Sequence, residues 1–106
     1  MTLPPLEILK KAREVITPEG SWSPCCLGVR LGGVVPCAST DDLCVSRSIL
    51  GAILYVGGIT KDSDIATQWV RSGLPDPQFG LYHWEPKVTQ GEVLSLLDRV
   101  ILTHQN

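Results

Sequence analysis

Apolar residues recur every three or four positions at Leu6, Leu9, Ala12 and Ile16, with Ile8 and Val15 beside them and Lys10, Lys11 and Glu14 opposite. This is the period of an amphipathic helix. Pro4 and Pro5 suit its first turn, where their missing N–H groups would have no partner in any case, and Thr17-Pro18-Glu19-Gly20 stops it. A helix over 5–16 is predicted. The period then changes to two: Leu27, Val29 and Leu31 alternate with Cys26, Gly28 and Arg30, and Gly32-Gly33 supplies the positive-φ pair of a tight turn. The pattern predicts a short β-hairpin over 26–37, with Leu31 opposite Val34, Val29 opposite Pro36 and Gly28 opposite Cys37. Pro36 has no N–H to give, which confines it to an edge strand or ends the ladder.

Ser39-Thr40-Asp41-Asp42 combines cap hydroxyls with first-turn carboxylates, the chemistry that satisfies the exposed N–H groups and positive end of a helix. A helix over about 41–56 is expected from it, with Leu43, Ser46 or Arg47, Leu50, Ile53 and Leu54 inward, Gly51 and Ala52 allowing close packing, and Gly57-Gly58 as its stop. This is read as the central helix. Ile59-Thr60 and Asp62 open a shorter one whose inner face is Ile65, Ala66, Trp69 and Val70, ending at Gly73. Leu74-Pro75-Asp76-Pro77 is a rigid break, and the stretch up to Pro86 has no clear period, so it reads as loop with at most a turn of helix. Thr89-Gln90-Gly91-Glu92 is a capping box. It begins a last helix, to about residue 103, with Val93, Leu96, Leu97, Val100 and Ile101 as its stripe. The pattern x-Trp-x-Pro occurs twice, at Trp22-Ser23-Pro24 and Trp84-Glu85-Pro86.

The fold class is therefore α+β: an α-rich single domain over 1–106, four helices packed with one hairpin, the first, central and last helices forming the core. A content of 43% hydrophobic and 19% charged residues belongs to an ordered chain. The net charge of −2, with Lys10-Lys11-x-Arg13 as the one basic knot, argues against a nucleic-acid partner. Met1-Thr2-Leu3-Pro4-Pro5 is not a basic segment followed by an apolar run, and no stretch nears the roughly 18 apolar residues of a membrane span. A cytoplasmic protein with no membrane partner and free thiols is expected.

Several short motifs run through this frame: Leu-x-x-Ala-x-x-x-Ile from Leu9 to Ile16, Gly20-x-Trp22, a cysteine before Gly-Ala-Ile from Cys44 to Ile53, and Trp84 followed by Thr-x-x-Glu-Val-x-x-Leu-Leu-Asp-Arg up to Arg99. Together they resemble an uncharacterised family of small bacterial and phage proteins. The resemblance spans most of the chain and implies a fold, since that family carries no established reaction. Where the family's last tryptophan stands before Asn-Asp, this chain has Glu85-Pro86.

The four cysteines, Cys25, Cys26, Cys37 and Cys44, are the first candidates for chemistry. A structural zinc site draws its thiolates from paired C-x-x-C-like knuckles, and neither knuckle is present. The hairpin register sets Cys26 diagonal to Cys37, within about 7 Å, so these two could bridge under oxidation, while the cluster as a whole reads as small buried hydrophobes. No metal or other cofactor is expected. A nucleophilic cysteine needs a base. Cys44, near a helix N-terminus that would lower its pKa, with His83 as base and Glu85 or Asp76 orienting it, makes one arrangement; His104, on a fraying helix end, is a poor member. Asp41-Asp42, Asp62 and Asp64 are explained by helix capping, and no Walker or G-x-G-x-x-G loop occurs.

The stronger candidate is the aromatic stretch Phe79, Tyr82, His83, Trp84 and Glu85 between prolines, with Trp22 beside it. Tyrosine and tryptophan give large contact area with few rotors and are favoured at binding hot spots. Phe79 and Trp84 also suit a cap on the core, whereas Tyr82 and His83 are expected outside; Trp22 and Trp69 read as anchors of the core. The expected function is a small regulatory or inhibitor protein, bacterial or phage-encoded, that engages a protein partner through 76–87. Two alternatives stay open: a small-molecule or nucleotide binder with a pocket under Trp22, Trp84 and the hairpin, and a cysteine-dependent enzyme using Cys44 and His83.

Overall fold

Three of the described α-helices start where a side-chain oxygen takes a free backbone N–H. The computed structural model describes residues 3–23, 28–30, 44–75 and 84–105. Helix α1 runs Pro5–Val15, with proline in its first turn and Ile8, Leu9 and Ala12 buried. Strands β1, Gly28–Arg30, and β2, Cys44–Arg47, precede helix α2, Ile49–Gly57, which Ser48 caps by accepting from Gly51 N at 3.1 Å. Helix α3, Lys61–Ser72, is capped by Thr60, which accepts from Ser63 N at 3.2 Å, and carries Asp62 and Asp64 in its first turn. A 3-10 turn, Glu85–Lys87, leads to helix α4, Gln90–His104, capped by Thr89, which accepts from Glu92 N at 3.3 Å. The hydroxyl of Thr89 also reaches Glu92 Oε1 at 3.4 Å. The described part is thus rich in helix, as the hydrophobic period predicts, and the radius of gyration of 12.7 Å matches the value of about 13 Å for a folded chain of this size.

The start of the second helix departs from the prediction. Residues 44–47, placed by the sequence pattern in the first turns of a helix over 41–56, form a strand, and the helix begins at Ile49. The physical reason is pairing on both edges. β2 pairs antiparallel with β1, Gly28 opposite Arg47, Val29 opposite Ser46 and Arg30 opposite Cys44, with an irregularity between Val29 and Arg30. Its other edge takes the Trp22 segment in a parallel bridge: Arg47 N donates to Ser21 O at 2.9 Å and Ser23 N to Arg47 O at 3.0 Å. Ser46 and Arg47 are buried between these neighbours, each 7% exposed. Cys44 is therefore a strand residue and does not stand at the start of a helix. The inner face of α2 also shifts, to Ile49, Ala52 and Ile53, while Leu50 and Leu54 are half-buried. The predicted hairpin partner of β1 at 34–37, like the Gly32-Gly33 turn and the caps at 39–42, lies outside the described residues.

The most heavily packed helix is α1, not α2: it packs on α2, α3 and α4, and α3 packs on α2 and α4 as well. Ile8, Leu9 and Ile16 from the α1 region meet Ile49 and Ile53 of α2, Ala66 and Val70 of α3, and Val93, Leu96, Leu97 and Val100 of α4 in one buried cluster. Each fully buried branched side chain of this kind stabilises by about 1.5 to 3 kcal/mol relative to exposure. Two polar ties close the bundle. Gln90, the first residue of α4, sends its amide into the C-terminal end of α1, donating to Ile16 O at 2.8 Å, Pro18 O at 3.2 Å and Thr17 O at 3.3 Å. Arg13 of α1 faces Asp98 of α4, with Nε 2.6 Å from Oδ1 and an Nη2 bond to Oδ2 at 3.1 Å.

Candidate functional site

Three chain segments far apart in sequence meet at one carboxylate. Ser48 caps α2 but leaves the first N–H of that helix, Ile49 N, without an intrahelical acceptor, as every helix start does. Glu85 Oε2 accepts from it at 2.9 Å and from Trp22 Nε1 at 2.6 Å. Trp22 is held in place for this by its bridge to Arg47, and Glu85 by the 3-10 turn in which Val88 N donates back to Glu85 O at 3.4 Å. The end of β2, the start of α2, the turn after α1 and the entry to α4 are thereby fastened together.

Two effects compete at this group. The bonds from Trp22 and Ile49, and the positive end of α2, favour the carboxylate; burial, at 3% exposure, favours the neutral acid. Burial wins. The pKa of Glu85 is pushed up to about 7, with desolvation as the largest cause and the Trp22 and Ile49 bonds pulling the other way. A carboxyl with a midpoint near neutrality has the value that suits a general acid or base, but such a group has to reach a substrate. Glu85 instead spends its acceptor oxygen on two internal donors.

Of the residues that the sequence marks for binding, Trp22 and Glu85 come together, the latter as the buried holdfast, and Trp84, next to Glu85 in the chain, is half-buried as Trp22 is. Phe79, Tyr82 and His83 lie outside the described residues. Of the proposed Cys44, His83 and Glu85 arrangement, Cys44 sits in β2 and Glu85 is engaged as above. Cys25, Cys26 and Cys37 also lie outside the described residues. Among the described residues no group of three or more histidine, cysteine or acidic side chains is placed to hold a metal ion, and no helix is long and apolar enough to cross a membrane. Pro75 and Trp84, which flank 76–83, line one open cleft of about 530 Å3 together with Thr89, Glu92, Ser95 and Arg99.

Two further features escape sequence reasoning. Arg47 is 7% exposed and its guanidinium lies 3.7 Å over the ring of Tyr55, a contact that brings the end of β2 against the second turn of α2. His104 stacks on Trp69, ring centres 3.9 Å apart and planes 5° from parallel. Trp22 from one copy of the x-Trp-x-Pro pattern and Glu85 from the other meet in this contact. No family model, no curated protein and no solved structure matches the chain.

Proposed function

We propose that this chain is a small binding protein of regulatory or inhibitory kind, and not an enzyme, that engages a protein partner through residues 76–87 with Trp22 at their edge. The observation that carries the reading is the fastening of Glu85 to Trp22 and Ile49. It fixes the C-terminal end of the aromatic stretch to the helical core, which lowers the entropy lost when the stretch meets a partner. A second support is that Pro75 and Trp84 border the same cleft. The two described residues that flank 76–83 thus stand at one place on the surface.

On this reading Phe79, Tyr82, His83 and Trp84 supply the contact area, and Glu85 positions them from behind. The protein works in the cytoplasm and belongs with the small bacterial and phage proteins that its motifs resemble. The test is a pair of variants, Tyr82→Ala and Trp84→Ala, checked for folding by circular dichroism. Both lose affinity for the partner captured by the unaltered protein; folded variants with full affinity contradict the assignment. Native mass spectrometry of the protein from its host separates the pocket alternative, because a retained small-molecule mass would favour it.

A further inference from the structure

A second feature of the surface plays no part in fastening Glu85. Between the C-terminal halves of α3 and α4 lies a cleft of about 260 Å3. The stacked rings of Trp69 and His104 form part of its lining, with Ser72 from α3 and Arg99, Val100 and Thr103 from α4. Its floor is close-packed because Gly73 has no side chain: a Cβ there would stand 2.8 Å from Val100 Cγ2 and 3.3 Å from Leu96 Cδ1.

Arg99 is the guanidinium among the side chains that line the cleft. Two helices end here, and their last carbonyls would favour a cation, but several are already satisfied. Gly73 N donates to Val70 O at 3.0 Å and Trp69 O at 3.2 Å, and Leu74 N to Arg71 O at 3.2 Å. The Thr103 hydroxyl donates to Arg99 O at 2.8 Å and Gln105 N to Leu102 O at 3.4 Å. No carboxylate is in the lining. Arg99 is exposed and forms no ion pair with a described residue. It also borders the neighbouring cleft that holds Glu92, which disfavours an anion on that side and leaves the Trp69 side for one.

A guanidinium offers a planar fork that matches a carboxylate with two parallel bonds. One such cation balances a monoanion, whereas a phosphate dianion would stay half-compensated. Beside it, the paired rings and Val100 give an apolar wall suited to stacking or edge contact with a flat ring. The volume falls just below the range of about 300 to 1,000 Å3 for drug-sized ligands, which sets the occupant at a single ring. We infer that the cleft between α3 and α4 binds a small aromatic carboxylate, with its ring against the Trp69 and His104 pair and its carboxylate on Arg99. The inference does not depend on the 76–87 reading, although Arg99 also lines the cleft beside Pro75 and Trp84.

The experiment is a titration of the isotope-labelled full chain, followed by two-dimensional nuclear magnetic resonance, with three probes: benzoate, neutral benzyl alcohol and acetate. Benzoate shifts the Trp69 indole N–H and the amides of Arg99, Thr103 and His104 together, saturating within about 10 mM. Benzyl alcohol and acetate bind at least about tenfold more weakly, since each lacks one half of the recognition. Arg99→Gln, an exposed change that leaves the fold intact, weakens benzoate by about tenfold or more, and His104→Ala weakens it less. If benzoate leaves these signals unmoved, if the neutral probe binds equally well, or if folded Arg99→Gln keeps full affinity, the assignment is overturned.

Discussion

The indole N–H of Trp22 donates to Glu85 Oε2 at 2.6 Å across 63 positions of chain, and the same oxygen accepts the first backbone N–H of α2 from Ile49. One buried acid thus joins the turn after α1, the head of α2 and the entry to α4. Its ionisation and its removal have separable consequences.

Stability depends on pH through this group. The folded-state pKa of about 7 lies above the unfolded-state value of roughly 4.3, so between these values the folded chain keeps a proton that the unfolded chain has released. The stability contributed by neutral Glu85 is therefore complete below about pH 4.3 and is lost as pH rises through about 7, a change on the order of 3 to 4 kcal/mol. Denaturant unfolding at a series of pH values checks the sign. Glu85→Gln, which keeps a carbonyl acceptor and cannot ionise, flattens that part of the profile and exceeds the unaltered protein in stability above neutrality.

Removing the acceptor altogether has the opposite sign. Glu85→Ala leaves the Trp22 and Ile49 N–H groups without their partner in a buried place, at a cost of about 2 to 4 kcal/mol near pH 5, where Glu85→Gln stays within about 1 kcal/mol of the unaltered protein. Equal stability of the alanine and glutamine variants would show that neither bond contributes.

Much of the fold is legible in the chain because cap and stripe agree. Thr60 before Asp62 and Thr89 before Glu92 mark the starts of α3 and α4, and Val93, Leu96, Leu97 and Val100 bury as their spacing predicts. The start of α2 misleads because Ser39-Thr40-Asp41-Asp42 has the composition of a cap and Leu43, Arg47 and Leu50 fall at helical spacing by coincidence. The cap in use is Ser48, and Arg47 ends a strand with neighbours on both edges. The Glu85 contacts stay hidden for a different reason. A bond between residues 22 and 85 has no local period, and Glu85, in an aromatic, proline-rich stretch, reads as a binding or orienting acid with no sign of the two donors it meets.

Gly57 and Gly58 read alike in sequence as a helix stop, yet they do different work. Gly58 takes φ of 68° at the end of α2, whereas Gly57 lets α2 approach its neighbours: a Cβ there would meet Ser63 Oγ of α3 and stand 2.7 Å from Ile8 Cδ1 of α1. Gly57→Ala is expected to destabilise by about 1 to 3 kcal/mol, through overpacking that outweighs the better helix propensity of alanine. A thermal scan that finds the variant as stable as its parent contradicts the close approach.

The two ties between α1 and α4 differ in worth. Gln90→Ala removes the donor to three consecutive carbonyls and costs about 1 to 2 kcal/mol, while Gln90→Glu, which aims a carboxylate at them, costs more. Arg13 and Asp98 have side chains 32% and 57% exposed, so a double-mutant cycle to alanine yields a coupling below about 1 kcal/mol that falls as salt is added. A Gln90 effect smaller than the Arg13 and Asp98 coupling would reverse this ranking.

The fastening of the aromatic stretch by Glu85 is tested most directly at Trp22. The indole N–H signal of Trp22, followed by two-dimensional nuclear magnetic resonance from about pH 5 to about pH 8, moves with a midpoint near 7 in the unaltered protein and stays flat in Glu85→Gln. A Trp22 signal without an inflection in that range, or one that persists unchanged in Glu85→Gln, contradicts the account.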